Sequence, residues 1–149
     1  MARGDFTLFE EFAQTLGDGQ HDLSTDTLSV ILITTLPTAA DATPDRADYT
    51  EVTAGGGYST GGIALTGKTY VETAGVAKLD ATNTLAWTQT AGSPINIVAG
   101  LLVNDAVVTS DAIGFIDITT GGGTPVVSLV DNPINIDWHA SGIFTLTIA

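Results

Sequence analysis

The chain has 149 residues, 17 acids against four bases, a net charge of −13, no Cys, and 44% hydrophobic against 14% charged residues. That length suits one domain with a sizeable core. The four bases, Arg3, Arg46, Lys68 and Lys78, are too few to track nucleic-acid phosphates, and the acidic balance opposes docking on an anionic membrane. Without Cys there is no disulfide framework, thiolate zinc site, iron–sulfur cluster or Cys nucleophile.

The residue types point to strands. Thr occurs 24 times and Gly 17 times, whereas Lys, Arg and Glu together fill eight positions. Good surface-helix formers are scarce and β-branched residues dominate. A body so poorly charged on its strands is expected to cover much of its surface with partners or with copies of itself.

In chain order, the opening residues lack the basic and apolar regions of a signal peptide. After an N-terminal arm (1–5), the segment from Asp5 to Leu16 reads as a helix. Phe6, Phe9, Phe12 and Leu16 fall on one face, opposite Glu10, Glu11 and Gln14, and Gly17-Asp18-Gly19 supplies the stop. That aromatic face either plugs one end of a sandwich or docks on another protein. Leu28 to Thr35 is the strongest strand of the first half. Pro37 to Asp48 reads as a solvated acidic loop.

Ile63 to Thr73, Val76 to Ala81 and Thr84 to Thr88 follow as strands. Ile95 to Asn104 is a near-continuous apolar run, expected to be a central strand buried on both faces. Ala112 to Thr119, Pro125 to Val130, Ile134 to Trp138 and Gly142 to Ile148 complete the set. Turn residues recur about every ten positions. The expected fold is therefore all-β: one antiparallel sandwich or jelly-roll-like barrel of about eight or nine strands, with one short N-terminal helix. No run is apolar and long enough to span a membrane as a helix.

Candidate chemistry is thin. Asp137, His139 and Ser141 lie within five residues, but a relay needs convergence in space, and no G-x-S-x-G elbow is present. His21 reads as a loop or capping residue. Asp41, Asp45 and Asp48 miss the spacing of a calcium loop, and Arg46 sits among them. Gly62 to Thr69 matches G-x(4)-G-K-[ST] literally, yet its interior is strand-like and a strand follows, so a phosphate cradle is not expected. Trp87 and Trp138 alternate with polar neighbours and read as inward-facing, which argues against a glycan platform built on them with Tyr49, Tyr58 and Tyr70.

Three stretches carry a resemblance: FTLFEEFAQTLGDGQHDLSTDTLSVILIT, YTEVTAGGGYSTGGIALTGKTYVE and the closing WHASGIFTLTIA. Together they resemble a family of small structural proteins of tailed bacteriophages and prophages. That family joins a short Phe-containing helix through G-x-G-x-H-D-L to a strand, then a Gly-Gly-Gly-Tyr turn, then W-x-x-S-G-I-F. The resemblance implies a virion component without enzymatic activity or cofactor, most like a capsid decoration (cement) protein on the outer surface of the head and made in the host cytoplasm. It implies the major capsid protein as partner, a homo-oligomer (dimer or trimer), and no nucleic acid or membrane partner. The alternatives are a tail-associated sandwich and a receptor- or glycan-binding module. Arg3, Phe6, Phe9, Phe12 and Leu16 are the candidate capsid or subunit contacts.

Overall fold

The computed structural model describes residues 4–109 and 111–147. Ten strands and one helix follow in order: β1 (Phe6–Leu8), α1 (Phe12–Gly17), β2 (Leu28–Ile33), β3 (Ile63–Ala64), β4 (Thr69–Thr73), β5 (Val76–Asp80), β6 (Leu85–Trp87), β7 (Ala99–Asn104), β8 (Ala112–Asp117), β9 (Ile134–Ile136) and β10 (Phe144–Thr147). The strands form three antiparallel sheets, ordered β1-β8-β7-β2-β3, β10-β5-β4 and β6-β9. The fold is an all-β sandwich, and its sheets do not close into a barrel.

Every residue of β2, β7 and β8 is buried. Their apolar runs have no polar alternation because both faces of the central sheet are covered. On one face Leu28, Val30, Leu32 and Leu102 pack with Leu79, Leu85, Trp87, Ile136 and Phe144 of the two smaller sheets. On the other, Ile31, Ile33, Leu101, Val103 and Phe115 pack with Phe9, and Leu36 and Tyr49 close over them. The segment between Leu36 and Tyr49 is thus a lid on the core. Its backbone is tied down by bonds from Glu10 N to Ala39 O (2.8 Å) and from Ala112 N to Pro44 O (3.1 Å).

The helix expected over 5–16 is corrected. Only Phe12–Gly17 is helical, and Phe6–Leu8 is a strand laid antiparallel on β8, with Phe6 opposite Ile116 and Leu8 opposite Gly114. A short isolated helix is marginal in water. Pairing with the edge of β8, and burial of Phe9 against Phe115, outweigh the local 3.6-residue pattern. Gly114 permits the approach, since a Cβ there would meet the Phe6 ring at 2.6 Å. Two further expectations are revised. Ile63 to Thr73 is broken into β3 and β4 by Gly67 at φ +59°. Pro125 to Val130 forms no strand and contributes one bridge, Val127 to Ile97.

Candidate functional site

Two of the predicted contact residues, Phe9 and Phe12, are spent inside the fold. Phe9 lies 5.3 Å from the Phe115 ring and 6.0 Å from that of Tyr49. Phe12 lies 5.6 Å edge-on to Phe144 and 5.4 Å from the His21 ring. Both are 2% exposed. Phe6 is half-buried and stacked on Phe144 at 5.9 Å, and half-buried Leu16 packs on the main core. Arg3 lies outside the described residues. Phe9 and Phe12 are therefore corrected from contacts to core, whereas Phe6 and Leu16 keep part of their surface open.

The candidate chemistry resolves into structural bonds. Asp137 accepts from the Thr84 hydroxyl at 2.5 Å, while His139 Nδ1 accepts from Ser141 N at 3.1 Å, so neither is directed at the other. Asp45 and Asp48 form a reciprocal capping box around the 3-10 turn at Arg46–Asp48. Asp41 accepts from the hydroxyls of Thr38 and Tyr49, and the Thr38 hydroxyl holds its carboxyl below the usual carboxylate range. Among the described residues, no three His, Cys, Asp or Glu side chains are grouped to hold a metal ion. The Lys68 ammonium donates to Leu23 O, and Ile63–Ala64 pairs with β2, so Gly62 to Thr69 runs as strand and turn.

The Gly-Gly-Gly-Tyr segment is a packing device. A Cβ on Gly57 would meet Thr88 O at 2.3 Å, and Gly57 N donates to Ser93 Oγ at 2.7 Å. This close approach drives Tyr58 to the main core at 3% exposure. Its hydroxyl donates to Glu51 at 2.5 Å and accepts from Leu32 N at 3.1 Å. Burial raises the Tyr58 phenol above its ordinary value. Trp87 is buried, while Trp138, Tyr49 and Tyr70 are half-buried, so none of the five aromatic residues weighed for a glycan platform is fully open.

Charge is distributed unevenly in space. The loops before β2, before β8 and around Arg46 meet at one end of the central sheet. Arg46 Nη2 contacts Asp105 at 2.6 Å and Arg46 Nε contacts Asp111 at 2.6 Å; Asp111 also accepts from Arg46 N at 2.6 Å. Ser29 donates to Asp105 at 2.5 Å, and Asp105 N donates to Thr27 O at 2.9 Å. Beside them, buried Asn104 donates to Asp26 at 2.7 Å and lies 3.1 Å from His21 Nδ1. Burial lowers the His21 pKa, against the pull of Asp26 and Asp111. This end holds Asp22, Asp26, Asp45, Asp48, Asp105 and Asp111; Arg46 answers Asp105 and Asp111, and Lys68 lies near Asp22 and Asp26.

The outer face of β10-β5-β4 is its opposite. By register it presents Thr69, Val71, Thr73, Val76, Lys78, Asp80, Thr145 and Thr147, while Tyr70, Leu79 and Phe144 point to the core. Among the described residues its only two charges, Lys78 and Asp80, pair at 3.0 Å. Val71 is 58% exposed. This broad face is apolar-to-neutral in a strongly acidic chain, and no local pattern distinguishes it from the other Thr-rich strands. Comparison with known protein families, with curated proteins and with solved structures returns no match for this chain.

Proposed function

We propose that this chain is a non-enzymatic structural protein of a tailed-phage virion, a decoration or cement protein that binds the outer surface of the capsid. Its partner is the major capsid protein, and it acts as a homo-oligomer. The observation that carries this reading is the charge-neutral Thr/Val face of β10-β5-β4 on a chain of net charge −13. Such a face approaches another protein without the repulsion the rest of the chain would bring. The resemblance of the three quoted stretches to small phage structural proteins supplies the identity of that other protein. Repetition over equivalent lattice sites turns modest contacts into stabilisation of the shell by mass action.

The test is addition of purified protein to heads that lack it. Saturable co-sedimentation with heads, together with a rise in the temperature at which the shell opens, is the expected result. Lys78→Glu combined with Thr145→Glu, which makes the face acidic, should weaken that binding. Protein that stays in the supernatant, or that associates only with tails, overturns the reading.

A further inference from the structure

We propose that the open edge of β4 is a self-association edge, through which two copies of this chain pair antiparallel about a two-fold axis at Val71. The proposal deepens the homo-oligomer part of the preceding reading by naming the interface.

The backbone supplies the first argument. β4 and β5 are joined by Ala74-Gly75, with φ +54° and +84°, the two-residue turn with both positions left-handed. In such a hairpin the flanking pair, Thr73 and Val76, exchanges hydrogen bonds, and bonded pairs then alternate along the ladder. Val71 with Lys78 and Thr69 with Asp80 are therefore the other bonded pairs. The bond from Ile143 N to Leu79 O at 2.8 Å agrees, because it places the Leu79 carbonyl on the side away from β4. It follows that the N–H and C=O groups of Tyr70 and Glu72 point out of the sheet edge. No other strand among the described residues pairs with that edge.

This edge also lacks protection. β4 has five residues, no Pro, no bulge and one acid. The edge strands β1 and β3 of the central sheet have three and two residues. Long unblocked edges template pairing with another chain unless charge, Pro or a bulge prevents it.

Main-chain direction and side-chain charge fix the register of a self-pairing. Only residues whose main-chain groups point outward can exchange bonds, so the axis passes through Tyr70, Val71 or Glu72. An axis at Glu72 sets two carboxylates opposite each other. An axis at Tyr70 runs the pairing past the end of the strand into Gly67, whose φ of +59° cannot continue it. With the axis at Val71, Tyr70 bonds Glu72 of the second copy and the reverse, Thr69 faces Thr73, and exposed Val71 faces its own equivalent. All five residues are used. The neutral face of the sheet adjoins this edge, so two chains of net charge −13 meet where neither is strongly charged. Pairing joins two three-stranded sheets into one six-stranded sheet and doubles the face presented to a lattice.

The experiment uses the purified chain without heads, so that its failure is distinct from failure to bind capsids. Sedimentation at rising concentration should show a species of twice the 15.2 kDa chain mass. Val71→Lys, which sets like charges across the axis, should leave a folded monomer by circular dichroism. Because the chain has no Cys, Val71→Cys reports the register. Residues opposite in a non-bonded antiparallel pair have Cα atoms about 4.5 Å apart, within disulfide reach. Val71→Cys should form a linked dimer on mild oxidation, whereas Thr145→Cys should not. A chain that is monomeric at every concentration, a trimer, a Val71→Lys variant that still dimerises, or equal cross-linking of both Cys variants overturns the proposal. A solution monomer whose Val71→Lys variant alone loses head binding also overturns it, in favour of a capsid strand at this edge.

Discussion

Two regions of this molecule treat charge in opposite ways. At one end of the central sheet three loops bring six carboxylates together with Arg46 and Lys68, and their polar groups are bonded to one another within and between the loops. On the outer face of β10-β5-β4 the only two charges answer each other, and the strand edge beyond them is left open. The acidic end spends its polar groups on holding the chain to itself. The neutral face keeps its groups for something else. The contrast is testable, because side chains of the first region should be expensive to remove and those of the second should not.

The largest effect is expected at Phe12, which links α1 to the acidic end through His21 and to β10 through Phe144. Phe12→Ala should destabilise the protein by about 4 kcal/mol, the usual cost of emptying a buried aromatic site. Denaturant melts would measure it. A change below about 1 kcal/mol would return Phe12 to the role of a surface contact.

Next comes Arg46. Its guanidinium is about one-third exposed, but the Asp111 carboxylate it holds is 4% exposed. Arg46→Met strands that carboxylate without a counter-charge and should cost about 3 kcal/mol. For a chain of this size that lowers Tm by roughly 9 °C. Adding Asp111→Asn removes the stranded charge and should recover part of the loss, a coupling that a double-mutant cycle reads directly.

How much of this was legible in the sequence differs between the two regions. The apolar run 95–104 reads as a strand buried on both faces, and its 99–104 part is one, whereas 28–33 and 112–117 read only as strands and prove equally buried. The three acidic segments were also visible, but not their meeting. Arg46 and Asp111 are 65 residues apart, and the long-range bond from Ala112 N to Pro44 O sets their two segments side by side. The first half of the helix expected over 5–16 failed for the same reason: the partner of Phe6–Leu8 lies more than 100 residues away, and a local period cannot report it. Phe6, Phe9, Phe12 and Leu16 were candidate contacts because they are apolar and periodic, and both properties mark a core as well as a docking face. The open edge of β4 had no signal at all. Edge position is a fact of sheet order, and the sequence of β4 is that of an ordinary strand.

A smaller effect separates the regions by pH. In the fold, burial holds His21 more neutral than in the unfolded chain, so its folded pKa lies below the ordinary 6.5. Below pH 6.5 the unfolded chain then binds more protons, and stability falls as the pH drops through the unfolded and then the folded value. Protonation also puts a donor at Nδ1 against the Asn104 amide, 3.1 Å away and already donating to Asp26. The lowered carboxyls, Asp22, Asp41, Asp80 and Asp117, act with the same sign but at more acid pH, since their ordinary value is 3.8. Denaturant midpoints between pH 7 and 5 should therefore drop in the parent chain and flatten in His21→Gln. Parallel curves would remove His21 from the account.

The smallest effect belongs to the neutral face. Val71 is 58% exposed and packs in neither core cluster. Val71→Lys gives up a β-branched side chain for a flexible one, a loss of a few tenths of a kcal/mol on a solvent-facing strand. It also places an ammonium directly opposite Lys78, but Asp80 already pairs Lys78 and water screens the repulsion to about a few tenths of a kcal/mol. The stability of the isolated chain should stay within about 0.5 kcal/mol of the parent, measured at concentrations low enough that neither associates. A larger loss would mean that β4 is braced from its outer side within one chain, and the division between a self-bound acidic end and an uncommitted sheet face would then fail. A negligible change makes any accompanying loss of association attributable to the edge itself.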